Sequence, residues 1–206
     1  MPEESPPIDR LAPYNARGYQ FTRDWFLSRV PVWESIIKPR LLGSDAQNPR
    51  AINGIEIGSY EGLSATWILE NLFANPASRL HCVDIWRNAE VQARFNANMN
   101  NTGRGVQVIP HKEPAVDAVR RSLVIGERFN FAYIDGDHTA KAVMQDASLL
   151  WPQMRKGGIM VFDDYGWTPP QGVLPPSQGI DAFLDAFAGE YNLLHKQWQV
   201  IIRKSV

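Results

Sequence analysis

The sequence predicts an α/β protein: a mostly parallel sheet with helices on both faces. Three observations lead there. From residue 50 onward, short apolar runs alternate with stretches that repeat at helical spacing. Those runs are almost continuously apolar, as strands buried on both faces are. The last two strand-like runs stand only a few residues apart, too close for a parallel crossover, so they form an antiparallel hairpin.

In chain order, residues 1–18 carry Pro2, Pro6, Pro7 and Pro13 with few apolar side chains, and read as a poorly ordered arm. The expected division is an arm over 1–21 and a single domain over 22–206, with a cap helix within 22–45 and a ligand-binding core over 50–206. Between Thr22 and Lys38 the residues Trp25, Phe26, Val30, Trp33, Ile36 and Ile37 recur at helical spacing, and Pro31 kinks or divides that helix. A polar linker, 43–49, follows. Strands are then expected at 51–57, 80–85, 106–109, 129–134 and 158–162, with helices at 63–73, 89–99, 115–124 and 140–154 between them. In the last helix Val143, Ala147, Leu150 and Met154 share one stripe. A Pro/Gly-rich loop, 167–178, leads to a helix at 180–187 and the hairpin strands 191–195 and 199–203. That loop reads either as a lid or as an inert excursion.

Composition narrows the function. The 206 residues suit one domain, and the 44% apolar fraction suffices for a core. With 21 basic and 22 acidic residues the net charge is −1, which gives no reason to expect nucleic acid or an anionic membrane as partner. The single cysteine, Cys82, excludes an internal disulfide and argues against a cysteine zinc site. No apolar run reaches the ~20 residues that span a bilayer. The acidic, Pro-rich start is unlike a signal peptide, so a cytoplasmic protein is expected. Trp25, Phe26 and Trp33 pack either on the core or on a second subunit of a homo-oligomer.

A glycine turn joins the first strand to the first helix: Glu56-Ile57-Gly58-Ser59-Tyr60-Glu61-Gly62-Leu63-Ser64. Strand–turn–helix units present backbone N–H groups to a ligand. The dinucleotide fingerprint requires glycine at its first, third and sixth positions. Counted from Gly58, the third is Tyr60 and the sixth Leu63, which argues against a nicotinamide oxidoreductase. A phosphate-free adenosyl ligand such as S-adenosylmethionine makes no such demand, and Ser59, Tyr60 and Ser64 suit its amino-acid tail. Asp84 ends the second strand, where a carboxylate either holds a ribose or caps a helix. Trp86 either covers the adenine or fills the core. His111, past the third strand, either lines the adenine end or sits in a solvated turn.

Acids gather at two further strand ends, Asp135-Gly136-Asp137-His138 and Asp163-Asp164-Tyr165. Unpartnered buried carboxylates are costly, and ligands in open α/β sheets sit outside the carboxyl ends of strands. Asp135, Asp163 and Asp164 therefore suit a hard divalent cation, Mg²⁺ first, with Mn²⁺ or Ca²⁺ open. The alternative is helix capping and solvation. His138 is placed to take a proton from an acceptor hydroxyl near neutral pH.

The run from Glu56 to Ser64 resembles the first motif of class I S-adenosylmethionine-dependent methyltransferases, in the version of catechol O-methyltransferase and its metal-dependent relatives. Asp135–His138 and Gly157–Tyr165 are similar to a broad, mostly bacterial branch of that family. The resemblance covers roughly residues 50–205. It implies a Rossmann-like, seven-stranded sheet with an antiparallel last strand. It implies that Gly58, Ser59, Tyr60 and Ser64, within the motif that also holds Glu56 and Gly62, surround the methionine portion, with Asp84 on the ribose. It implies Asp135 and Asp163 as metal ligands and Asp164 where catechol-type enzymes usually have Asn. No lysine matches the catechol-type base, and His138 is the available substitute. The expected activity is O-methylation of a small-molecule hydroxyl, with Asp135 and His138 catalytic. A metal-independent methyltransferase using His138, or an inactive S-adenosylmethionine-binding protein, stand as alternatives.

Overall fold

The computed structural model describes residues 9–43 and 49–206. Seven strands form one sheet: β1 (Asn53–Ile57), β2 (Arg79–Asp84), β3 (Val108–Lys112), β4 (Phe129–Ile134), β5 (Met154–Phe162), β6 (Tyr191–Lys196) and β7 (Val200–Lys204). Their order is β3-β2-β1-β4-β5-β7-β6. β7 runs antiparallel to both of its neighbours, and β1 to β5 pair in parallel. The order reverses between β1 and β4, so their carboxyl ends open a crevice there.

The remaining elements are helical. α1 (Ala12–Asn15) opens the described chain. Residues 27–42 form one stretch: a 3₁₀ turn Leu27–Arg29, α2 (Val30–Val32), a π turn Trp33–Ile37 and α3 (Lys38–Leu42). The crossovers are α4 (Leu63–Asn71), α5 (Ala89–Asn101), α6 (Ala115–Val124), α7 (Ala140–Leu150) and α8 (Pro176–Ala186). Side chains alternate across β4 and sort the core into two layers. Phe131 and Tyr133 meet Trp33, Trp67 and Phe95 on one face. Ala132 and Ile134 meet Val119, Ala147 and Phe183 on the other.

The structure corrects four sequence expectations. Residues 9–18 are not a loose arm. Arg17 makes two hydrogen bonds to Glu70, and Tyr14 packs edge-on against Tyr19 and Phe21. Residues 1–8 lie outside the described residues, as do 44–48 of the linker. Second, Pro31 does not break the helix. It sits in the first turn of α2, where its missing N–H costs nothing; the helix starts late because Asp24 caps the Leu27 N–H at 2.8 Å. Third, β3 starts at Val108 rather than 106. Gly105–Gln107 is a 3₁₀ turn held by the buried Gln107 amide, which donates to the carbonyls of Phe73, Asn75 and Ser78. Fourth, the helix expected at 140–154 stops at Leu150, because Pro152 imposes a 3₁₀ turn and releases Met154 into β5. Phe26 and Trp33 pack in this chain's own core, while Trp25 is exposed.

The segment before residue 27 also shapes the crevice. Glu61, inside the glycine turn, is buried and accepts from the Thr22 N–H (2.7 Å), the Thr22 hydroxyl (2.9 Å) and Arg94 Nε (2.6 Å). Asn98 accepts from the Gln20 N–H and donates to the Glu61 carbonyl at 2.8 Å. One carboxylate thus joins the N-terminal segment, the glycine turn and α5. Removing it leaves several donors unpaired, including a partly buried guanidinium. Glu61→Ala is expected to lose on the order of 2–4 kcal/mol in urea unfolding; a loss under about 0.5 kcal/mol would show that this junction carries no stability.

Candidate functional site

The site starts at Gly58. Its φ is +90°, and a Cβ there would stand 1.9 Å from the Asp135 carbonyl oxygen. Only glycine lets the tips of β1 and β4 approach so closely. The Asp135 N–H then bonds the Ile57 carbonyl at 2.8 Å, and the Gly58 N–H bonds Val83 at 2.8 Å. Gly62 caps α4 at φ +82°, with Met99 and Phe95 packed where a side chain would stand. Among the described residues, three others hold positive φ without being glycine: Tyr60, Trp86 and Asp164. All three lie just beyond the ends of β1, β2 and β5, and strained backbone of this kind gathers at functional sites.

Asp84 is the clamp between the first two strand ends. Its carboxylate accepts the Tyr60 N–H at 2.9 Å and the Trp86 N–H at 2.7 Å, and Trp86 Nε1 donates to the Tyr60 carbonyl at 2.8 Å. Each oxygen keeps a further lone pair, and Asp84 lines the cavity. Below the turn, buried Glu56 accepts from the Ser64 hydroxyl at 2.6 Å. Glu56 Oε2 and Ser59 Oγ are buried with no hydrogen-bond partner among the described residues. Orphaned polar atoms at such a turn fit a polar ligand group. Burial pushes Glu56 up to about 7, against the bond from Ser64.

Across the crevice stand the acids. Tyr133 is buried in β4, and its hydroxyl bridges Asp163 and Asp135, the latter at 3.1 Å. Asp163 also accepts from Gln199 Nε2 at 3.0 Å and from the Asp164 N–H at 2.7 Å. Trp33 Nε1 holds Gln199 in turn at 2.8 Å. Asp164 lies 3.0 Å from His138 Nδ1 and accepts from Trp198 Nε1 at 3.2 Å. Loss of hydration, then the charges of Asp163 and Asp164, push Asp135 well above the usual carboxylate range. Loss of hydration also raises Asp163, against its bond from Tyr133. Among the described residues, Asp135, His138 and Asp164 have ligand atoms within 4.8 Å of one another.

These groups share a cavity of about 1100 Å³ with Gly58, Tyr60 and Asp84. Glu56, Ser59, Gly62 and Ser64 are buried and do not line this cavity, and three further expected residues do not fit their expected places. Trp86 is 2% exposed and packs on Phe95 at 4.6 Å, so it fills the core; Ile85 and Arg87 line the cavity beside it. His111 stacks on His81 with its Nε2 3.0 Å from His81 Nδ1, while Glu113 and Pro114 take the wall. Asp163 is buried, with Tyr133, Gln199 and the Asp164 N–H donating to its oxygens, and the cluster of ligand atoms contains His138 rather than Asp163. Sequence reasoning missed Tyr133, Gln199, Glu61, Arg29 and Trp198. The partners of Gln199, Glu61, Arg29 and Trp198 lie far along the chain, so no spacing signals them; Tyr133, two residues before Asp135, and Glu61, inside the glycine motif, were the two that position could have flagged.

A family model described as a methyltransferase domain matches residues 55–165, the stretch from β1 to just past β5. The chain belongs to the class I S-adenosylmethionine-dependent methyltransferases. A protein of Acanthamoeba polyphaga mimivirus, named only as uncharacterised, is 30% identical over 143 residues, 67% of this chain; the chain spans about 62% of that relative's length. Among solved structures, the O-methyltransferase of Bacillus cereus, in complex with S-adenosylhomocysteine, superposes with a TM-score of 0.67 at 17% identity, over 94% of this chain and 89% of that one. MycE, from the mycinamycin biosynthetic pathway and solved with Mg, S-adenosylhomocysteine and mycinamycin VI, gives 0.64 at 14% identity, over 95% of this chain and 53% of that one. At such identities these structures speak for the fold. No helix among the described residues is long and apolar enough to cross a membrane.

Glu56 offers a test of burial beneath the turn. Its carboxyl is neutral in the fold up to about pH 7 but ionises in the unfolded chain from about 4.5. Its contribution to stability is therefore present below about pH 4.5 and lost as pH rises to about 7. Glu56→Gln should remove that slope, gaining roughly 3 kcal/mol over the unaltered protein above pH 7, at 1.36 kcal/mol per pKa unit. Identical pH slopes in urea unfolding would place Glu56 in water.

Proposed function

We propose that this protein methylates a hydroxyl oxygen of a small molecule, with a divalent cation beside the reacting oxygen. The observation that carries the reading is the convergence of Asp135, His138 and Asp164 in the same cavity as Gly58, Tyr60 and Asp84. One end of that cavity suits an adenosyl sulfonium and the other a hydroxyl that must lose its proton.

Each residue then has a task. Asp84 accepts from the ribose hydroxyls with its spare lone pairs while its other contacts hold the turn. Tyr60 meets the amino-acid tail at the cavity wall, with Glu56, Ser59 and Ser64 buried behind it and Gly58 and Gly62 giving the turn its shape. The methyl carbon moves from the sulfonium sulfur, which keeps the bonding pair, to the acceptor oxygen. That oxygen's proton goes to His138. Asp164, hydrogen-bonded to Nδ1, orients the imidazole and stabilises its charged form, leaving Nε2 for the acceptor. Alignment of the two reactants supplies much of the rate, on the order of 7–11 kcal/mol in favourable cases.

The donor set fits a cation. Oxygen donors from Asp135 and Asp164 suit Mg²⁺, and the repulsion from Asp163 and Asp164, which adds to loss of hydration in raising Asp135, would be relieved by positive charge. Asp135 and Asp164 would hold the ion, with Asp163 and Tyr133 positioning Asp135 from behind. A bound divalent ion lowers the pKa of an oxygen it touches. MycE is a neighbour in fold whose structure contains Mg. The second reading is a metal-independent enzyme, favoured by the His138–Asp164 pair at 3.0 Å, complete without an ion.

Chelation separates the two. With EDTA, methyl transfer to a panel of hydroxylated small molecules, read by mass spectrometry, should fall to background and return with Mg²⁺. Full activity in EDTA would remove the cation and leave the His138–Asp164 pair. His138→Gln should lower turnover about 10²–10⁴-fold with S-adenosylhomocysteine binding unchanged; unchanged turnover would take the proton from His138 and give it elsewhere.

A further inference from the structure

We infer that Arg29 reads a carboxylate on the acceptor, so that the molecule methylated is a hydroxylated aromatic acid. This rests on the methyl-transfer reading above and names its substrate class. Arg29 ends the 3₁₀ turn Leu27–Arg29 and lines the cavity together with Asp163, Asp164 and Trp198. Its guanidinium carbon lies 4.8 Å from the centre of a Trp198 ring. That indole is itself fixed by its bond to Asp164. The guanidinium is therefore held at a set distance from the reacting end of the site.

What Arg29 lacks is an anion. Among the described residues it makes no ion pair and no side-chain hydrogen bond, and its Nε is buried without a partner. The acids around it are already engaged. Asp24 pairs with Arg10 at 3.6 Å and caps the Leu27 N–H. Asp164 meets His138 and Trp198, and Asp163 meets Tyr133 and Gln199. A half-buried guanidinium with an orphaned donor, in a cavity rich in acids, is costly unless a ligand brings the missing oxygens. Its planar fork matches a carboxylate in bidentate fashion.

The walls fix the rest of the molecule. Trp25, 66% exposed, tilts over Tyr60 at 5.1 Å. Trp167 lies 5.6 Å from His138, and Trp198 is 39% exposed. Indoles left open to water around one hollow suit a flat ring. A singly charged carboxylate is balanced by Arg29, whereas a phosphate dianion would add repulsion from three nearby acids.

The test uses 4-hydroxybenzoate and 4-hydroxycinnamate against their uncharged amides, titrated by tryptophan fluorescence into the full chain saturated with S-adenosylhomocysteine. The unaltered protein should bind each acid at least about tenfold tighter than its amide. Arg29→Met keeps a stem to lie on Trp198, and should abolish that preference while S-adenosylhomocysteine affinity stays the same. Equal binding of acid and amide, or of neither, in a protein that binds S-adenosylhomocysteine overturns the inference alone. Weaker S-adenosylhomocysteine binding by Arg29→Met also overturns it, placing Arg29 on the donor. Failure of the unaltered protein to bind S-adenosylhomocysteine would instead sink the methyl-transfer reading, and this one with it.

Discussion

The approach of two backbones governs this molecule: Gly58 lies against the Asp135 carbonyl with no room for a side-chain carbon between them. Because β1 and β4 are neighbours at the reversal of strand order, that contact sets the glycine turn directly beside the acids of β4 and β5. The ladder continues past both strand ends through Asp135 to Ile57 and Asp163 to Ile134. Had any other residue followed Ile57, the turn would be pushed away, and the two halves of the crevice would part. The glycine is thus a requirement of the protein's own packing as much as of anything it binds.

A second constraint is charge. Asp135, Asp163 and Asp164 stand close together in a partly dehydrated hollow, and the fold manages this by giving each a different partner. Tyr133 and Gln199 hold Asp163, Tyr133 reaches Asp135, and His138 with Trp198 holds Asp164. The result is one buried acid held by three protein donors and two half-buried acids at the cavity wall. Long-range anchors complete the crevice: Trp33 sets Gln199, and Glu61 ties the N-terminal segment over the glycine turn. The same segment delivers Trp25 and Arg29 to the cavity wall.

Much of the fold was legible because its signal is local. Apolar runs such as 129–134 and the closely spaced hairpin at the end fix strand type and direction by periodicity and loop length alone. The sequence placed the glycine turn, Asp84, Asp135, Asp164 and His138 at one crevice because the carboxyl ends of strands open there in this architecture, and one cavity does bring them together. What was not readable depends on orientation. Trp86 and His111 follow or lie near the right strand ends but point elsewhere, and a one-residue change reverses a side chain's face. The burial of Asp163 was not readable because its bonds to Tyr133 and Gln199, 30 and 36 residues away, leave no trace in spacing. The order of residues 9–18 was missed for the same reason: the prolines are visible, but the contacts of Arg17 and Tyr14 with distant or neighbouring rings and acids are not.

A crystal structure with S-adenosylhomocysteine would settle whether the crevice between β1 and β4 is where the donor lies. The account requires ribose hydroxyls on Asp84 and the sulfur turned toward Asp135 and His138. Density in the smaller hollow of about 440 Å³ at the opposite strand ends, lined by Asn53, Arg79 and His81, or an adenosine remote from Asp84, would contradict it.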